Sequence, residues 1–86
     1  MENKGATYIY VTLEEAADIM SYALSNWKIT YHYTKDPERA ELNLENPDNG
    51  DMMEIRFYKD KLSEISIFTD DDIVVYEVKE EEEEDA

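Results

Sequence analysis

Apolar and polar positions along this chain change period twice, and the changes mark out its elements. Thr7-Tyr8-Ile9-Tyr10-Val11 is β-branched and aromatic throughout, the composition of a strand. It runs directly into Thr12, followed three residues later by Glu15. A hydroxyl and a carboxylate at that spacing satisfy each other's backbone donors and start a helix. Leu13, Ala16, Ala17, Met20, Ala23, Leu24 and Trp27 then recur every three or four residues, one apolar stripe on a helix of about fourteen residues. Glu14, Glu15 and Asp18 set negative charge near its N-terminal dipole.

After Trp27 the period falls to two. Ile29, Tyr31 and Tyr33 alternate with Lys28, Thr30, His32 and Thr34, which predicts a half-buried strand with the first three on its inner side. The turn Lys35-Asp36-Pro37-Glu38-Arg39 follows. Ala40, Leu42 and Leu44 alternate with Glu41, Asn43 and Glu45. Asn46-Pro47-Asp48-Asn49-Gly50 is a turn whose Asn-Gly step suits positive φ at both positions. Met53, Ile55 and Phe57 form the next inner set, Lys59-Asp60-Lys61 a tight link, and Ile65 and Ile67 share a face of the strand that follows. Asp70-Asp71-Asp72 makes a turn, and Ile73–Val78 reads as a last, more apolar strand. The expected fold is therefore α+β, in the order β-α-β-β-β-β(-β), with one helix packed on an antiparallel sheet. Residues 1–78 form the single domain, and 79–86 is an acidic tail expected to be disordered.

Charge changes this from a generic small domain to a particular one. The 86 residues hold 23 acids against 8 bases, a net of −15. The run Glu80–Asp85 supplies six of those acids, yet residues 1–78 still carry 17 acids and 7 bases, a net of −10. That exceeds the roughly 2–8 that keeps a small domain soluble. Such a field repels nucleic acid and anionic membrane and draws in basic proteins. Direct nucleic-acid binding is therefore not expected, although Tyr8, Tyr10, Tyr31, Tyr33 and Tyr58 are aromatics of the type that stacks on bases. With no cysteine, no apolar leader in Met1–Gly5 and no run long enough to span a bilayer, a cytoplasmic location is the expectation.

Catalytic patterns are missing. His32 is the one histidine and falls on the polar side of its strand; no nucleophile motif or phosphate loop occurs, and Gly5 and Gly50 are the only glycines. Aligning Gly50 with the invariant glycine of a calcium loop places Pro47 and Arg56 where oxygen ligands belong. Neither enzyme activity nor a metal or other cofactor is expected.

What remains is the placement of the acids. If the strands pair as hairpins, Glu41, Glu45, Glu54, Glu64 and Glu77 point away from the helix, and Asp70, Asp71 and Asp72 add charge at the sheet end. Rigid strands hold carboxylates at spacings comparable to the roughly 3.4 Å per phosphate along one DNA strand. In Glu41-Leu42-Asn43-Leu44-Glu45, in Asp70-Asp71-Asp72, in Glu80–Asp85, and in size and charge as a whole, the chain resembles the small acidic DNA-mimic inhibitors made by bacteriophages. That resemblance implies a basic DNA-binding protein of a host cell as partner, such as a histone-like HU, transcription, restriction or CRISPR protein. Two alternatives share the charge and size: an immunity protein that neutralises a basic toxin, and an accessory subunit whose last strand, Ile73–Val78, completes another sheet. Pairing of edge strands into a homodimer is a further expectation.

Overall fold

The computed structural model describes residues 5–35, 39–59 and 61–79. The expected turn acids Asp36 and Asp60, Pro37, Glu38 and, of the expected tail 79–86, all but Lys79 lie outside those residues. Seven elements follow in the order β1 (Ala6–Val11), α1 (Leu13–Asn26), β2 (Lys28–Lys35), β3 (Arg39–Glu45), β4 (Met52–Tyr58), β5 (Lys61–Phe68) and β6 (Ile73–Val78). The fold is α+β, one helix against a single six-stranded sheet of order β1-β6-β5-β4-β3-β2.

From β2 to β6 the chain is an antiparallel meander, as short connections dictate. The purely antiparallel sheet expected from the sequence is corrected at β1, which pairs in parallel with β6, from Ala6↔Ile73 to Val11↔Val78. The strand that begins the domain thus sits beside the strand that ends it. The apolar β6 is consequently an inner strand, paired on both sides, and does not offer an edge. The edges are β1 and β2, and α1 carries the chain from one to the other. Its fourteen residues span about 21 Å, close to the roughly 24 Å across six strands spaced about 4.8 Å apart.

The helix starts as read. Glu15 N–H donates to Thr12 Oγ1 (3.0 Å) and Thr12 N–H donates to Glu15 Oε1 (2.9 Å). Its inner stripe is narrower than expected. Ala16 and Ala23 are fully buried and Ile19, Met20 and Trp27 pack against the core, whereas Leu13 and Leu24 are exposed. The core beneath comprises Leu44, Ile55 and Ile65, fully buried, with Val11, Met53 and Leu62 around them. Burying each large aliphatic side chain contributes about 1.5–3 kcal/mol.

Two bulges decide which side chains join this core. On β2, Ile29 opposes Leu44 but Tyr31 opposes Asn43, so Thr30 is an extra residue, with its Oγ1 donating to the Asn43 carbonyl (3.3 Å). The shift reverses the expected facing. Ile29 keeps the helix side, Tyr31 and Tyr33 turn to the open side, and His32 lands opposite Leu42 on the helix side, exposed at the sheet edge. On β5, Ser63 is the extra residue between Leu62↔Phe57 and Glu64↔Arg56. It brings Leu62 onto the same face as Ile65, a pair that regular alternation would separate.

The β3–β4 turn also differs from the Asn-Gly type expected. Within this turn only Gly50 has positive φ (84°). Gly50 N–H donates to the Asn46 carbonyl (2.8 Å), closing one helical turn, while Asp48 N–H and Asp51 N–H donate to the side chains of Asn46 and Asn49. Gly50→Ala is expected to lower stability by about 1 kcal/mol through backbone strain alone, since nothing lies within 4 Å of where the new Cβ would sit. Gly5→Ala, equally uncrowded but without positive φ, is the matched control. Urea unfolding of the two variants checks the difference, and equal midpoints would remove the strain argument.

Candidate acidic face

Only one side of the sheet carries the helix. Register places three rows of side chains across the other, open side, and the cross-strand pairs name them. The first row is Tyr10, Glu77, Glu64, Arg56, Glu41 and Tyr33. The second is Tyr8, Val75, Ser66, Glu54, Asn43 and Tyr31. The third is Ala6, Ile73, Phe68, Met52, Glu45 and Lys28. Tyrosine pairs on β1 and β2 therefore bracket a polar centre, and the third row leaves an apolar strip of Ile73, Phe68 and Met52.

Arg56 organises the centre. Its Nη2 donates to Glu54 Oε1 (2.7 Å) and its Nη1 to Glu64 Oε2 (3.1 Å), and its Nε lies 4.0 Å from Glu41 Oε1. One guanidinium thus spans β3, β4 and β5, which its planar fork of five donors permits and a lysine would not. Asn43, with its amide nitrogen turned toward the acceptors around it, adds a donor to Glu41 Oε2 (3.2 Å). Glu64 also stands directly opposite Glu77, a like-charge pair that costs stability. At the β2 end, Tyr33, Arg39, Glu41, Arg56 and Tyr58 line an open cleft of about 240 Å³.

Glu41, Glu45, Glu54, Glu64 and Glu77 all fall on this side of the sheet. They are not a bare acidic field, because Lys28, Arg39, Arg56 and Lys61 share the face and nearly balance them. Asp70, Asp71 and Asp72 are not on the face. They occupy the β5–β6 turn, which Thr69 organises: its Oγ1 accepts from Asp71 N–H (3.3 Å) and Asp72 N–H (3.1 Å). Strand directions put that turn at the same end of the sheet as the β3–β4 turn with Asp48 and Asp51. Five aspartates gather there, beside the apolar strip. The three-strand role of Arg56 depends on the Ser63 bulge, which sets it opposite Glu64.

No protein-family model, curated protein or solved structure matches the chain. Among the described residues, no helix is long and apolar enough to cross a membrane.

Arg56→Met, which keeps the apolar stem and removes the charge, is expected to cost about 1–2 kcal/mol at low salt. Its partly exposed pairs are worth roughly 0.2–1 kcal/mol each and are screened at high salt. Glu77→Gln, which relieves the opposition to Glu64, is expected to gain a few tenths of a kcal/mol, within the roughly 0.2–1 kcal/mol range of cross-strand pairs. Urea unfolding at 50 mM and 1 M NaCl measures both, and shifts of the same sign and salt-independent size would contradict the electrostatic account.

Proposed function

We propose that this chain binds and covers the nucleic-acid-binding surface of a basic protein, as a DNA mimic in the manner of the bacteriophage inhibitors it resembles. The observation that carries the reading is the rigid placement of carboxylates. Glu41, Glu54 and Glu64 sit on three adjacent strands around one guanidinium. Strands about 4.8 Å apart hold such carboxylates at fixed spacings comparable to the roughly 3.4 Å per phosphate of one DNA strand, as an unstructured acidic segment does not. Since cations nearly balance the open face, the densest group of acids among the described residues lies at the sheet end where Asp48, Asp51 and Asp70–Asp72 collect. There Met52, Phe68 and Ile73 supply apolar contact area that phosphates lack and protein interfaces use. On this reading a basic protein meets the aspartate end first and settles across the strip.

Capture from a bacterial lysate treated with nuclease identifies the partner, and titration with the purified partner then tests the reading. Duplex DNA is expected to displace the chain competitively. Log affinity is expected to fall steeply and linearly with log salt, as it does for proteins that exchange counterions with phosphates. Asp70, Asp71 and Asp72 changed together to Asn are expected to weaken binding at least tenfold. Salt-independent affinity, or a partner that DNA does not displace, would reject mimicry; in the second case a single captured toxin would favour the immunity-protein alternative.

A further inference from the structure

The two edges of the sheet are built differently. On β2 the bulge at Thr30 interrupts the strand, Lys28 begins it and His32 lies within it, devices that discourage a further strand from pairing. β1 has none of them. Its six residues, Ala-Thr-Tyr-Ile-Tyr-Val, contain no charge and no proline, and their register with β6 has no shift. All but Val11 are exposed, with Tyr8 at 61% and Tyr10 at 69%.

The orientation of its backbone follows from two hydrogen bonds. Ile73 N–H donates to the Gly5 carbonyl and Lys79 N–H to the Val11 carbonyl, so alternate residues from 5 to 11 direct their polar groups toward β6. Ala6, Tyr8 and Tyr10 accordingly turn their N–H and C=O groups outward. Their side chains stand on the open side of the sheet, where the tyrosines are rigid anchors of the type enriched at interfaces.

Acids gather at both ends of this edge, although Lys79 also sits beside Val11. Asp70–Asp72 precede Ile73, the partner of Ala6, and Glu14 and Glu15 follow Val11. Glu77 lies opposite Tyr10. A second copy is a poor occupant. Antiparallel pairing of two β1 strands would set Asp70–Asp72 of one copy against Glu14 and Glu15 of the other, and parallel pairing would set like against like. Acid meets acid either way, within reach of the roughly 8 Å over which physiological salt screens charge.

We infer that β1 is a docking edge that adds one extended segment of a basic protein to the sheet, with uncharged residues along β1 and Lys or Arg at both ends. Main-chain hydrogen bonds from Ala6, Tyr8 and Tyr10 give the affinity, and the acidic ends select the partner. The inference rests on the proposed function only for the basic character of that partner.

The probe is the synthetic peptide Arg-Arg-Thr-Val-Thr-Val-Thr-Arg-Arg, titrated into the full-length isotope-labelled chain while amide hydrogen exchange is followed. In the free chain, Tyr8 and Tyr10 amides are expected to exchange quickly and those of Thr7 and Ile9 slowly. Saturating peptide is expected to slow Ala6, Tyr8 and Tyr10 at least tenfold, and the same peptide with Glu at both ends is expected to leave them unchanged. Tyr8→Pro, which removes an outward donor at an edge position that tolerates proline, is expected to weaken the peptide at least tenfold. Exchange at Ala6, Tyr8 and Tyr10 unaltered by the basic peptide overturns the inference. So does protection that grows with chain concentration in the absence of peptide, which would mean self-pairing. A partner displaced by DNA that binds Tyr8→Pro and the natural chain equally would sink the edge and leave mimicry standing. Peptide pairing in a chain with no partner displaced by DNA would do the reverse.

Discussion

Ala16 and Ala23 are the two residues of α1 with no exposed surface, and having no side chain beyond Cβ lets the helix settle directly on the strands. Its main contact is with β5, and β1, β2 and β6 lie beneath its flanks. Ile19, Met20 and Trp27 then reach down on either side to cover Leu44, Ile55 and Ile65. A larger residue at either alanine would lift the helix off the whole core, because no other layer holds the sheet on that side. In a chain of this size the core has little to spare.

Having a single helix leaves one side of the sheet without a covering layer, and that side is stabilised laterally. Arg56 ties three strands through three carboxylates, and Ser66 and Val75 are buried on the open side by their neighbours in the sheet. The polar face is thus part of the structure as well as its presentation surface. The cation that fixes the three glutamates also offsets one of their charges, so rigidity and negative potential are traded against each other at its centre. Among the described residues the aspartate turns are free of that compromise, being held by Thr69, Asn46 and Asn49 and not by a cation.

Local signals were readable and distant ones were not. The Thr12–Glu15 box, the change of period after Trp27 and the short links from β2 to β6 each reflect neighbours in sequence, and all correspond to elements of the fold. The parallel pairing of β1 with β6 joins residue 6 to residue 73, and nothing local encodes it. The bulges were hidden for another reason. One extra residue reverses every facing beyond it, and Thr30 and Ser63 look like ordinary polar positions of alternating strands. A trace was present in Leu62 and Ile65, two apolar residues three apart in a strand, a spacing that alternation cannot bury on one side. For the candidate site, the sharing of a face by the five glutamates was legible from alternation. The counter-charges were not, because placing Arg56 among Glu41, Glu54 and Glu64 requires the register.

The circular arrangement of the chain, in which the first strand is laid against the last, bears on how the molecule assembles. Strands β2 to β6 form by successive hairpins, whose loops close quickly. The β1–β6 pairing spans almost the whole described chain and carries most of its loop-closure entropy, so it forms late. Exposed and paired on one side only, β1 is also, like β2, among the segments expected to open most readily in the native state. The five-stranded meander is then the cooperative nucleus, and the first strand is a latch that α1 brings across the sheet to close it.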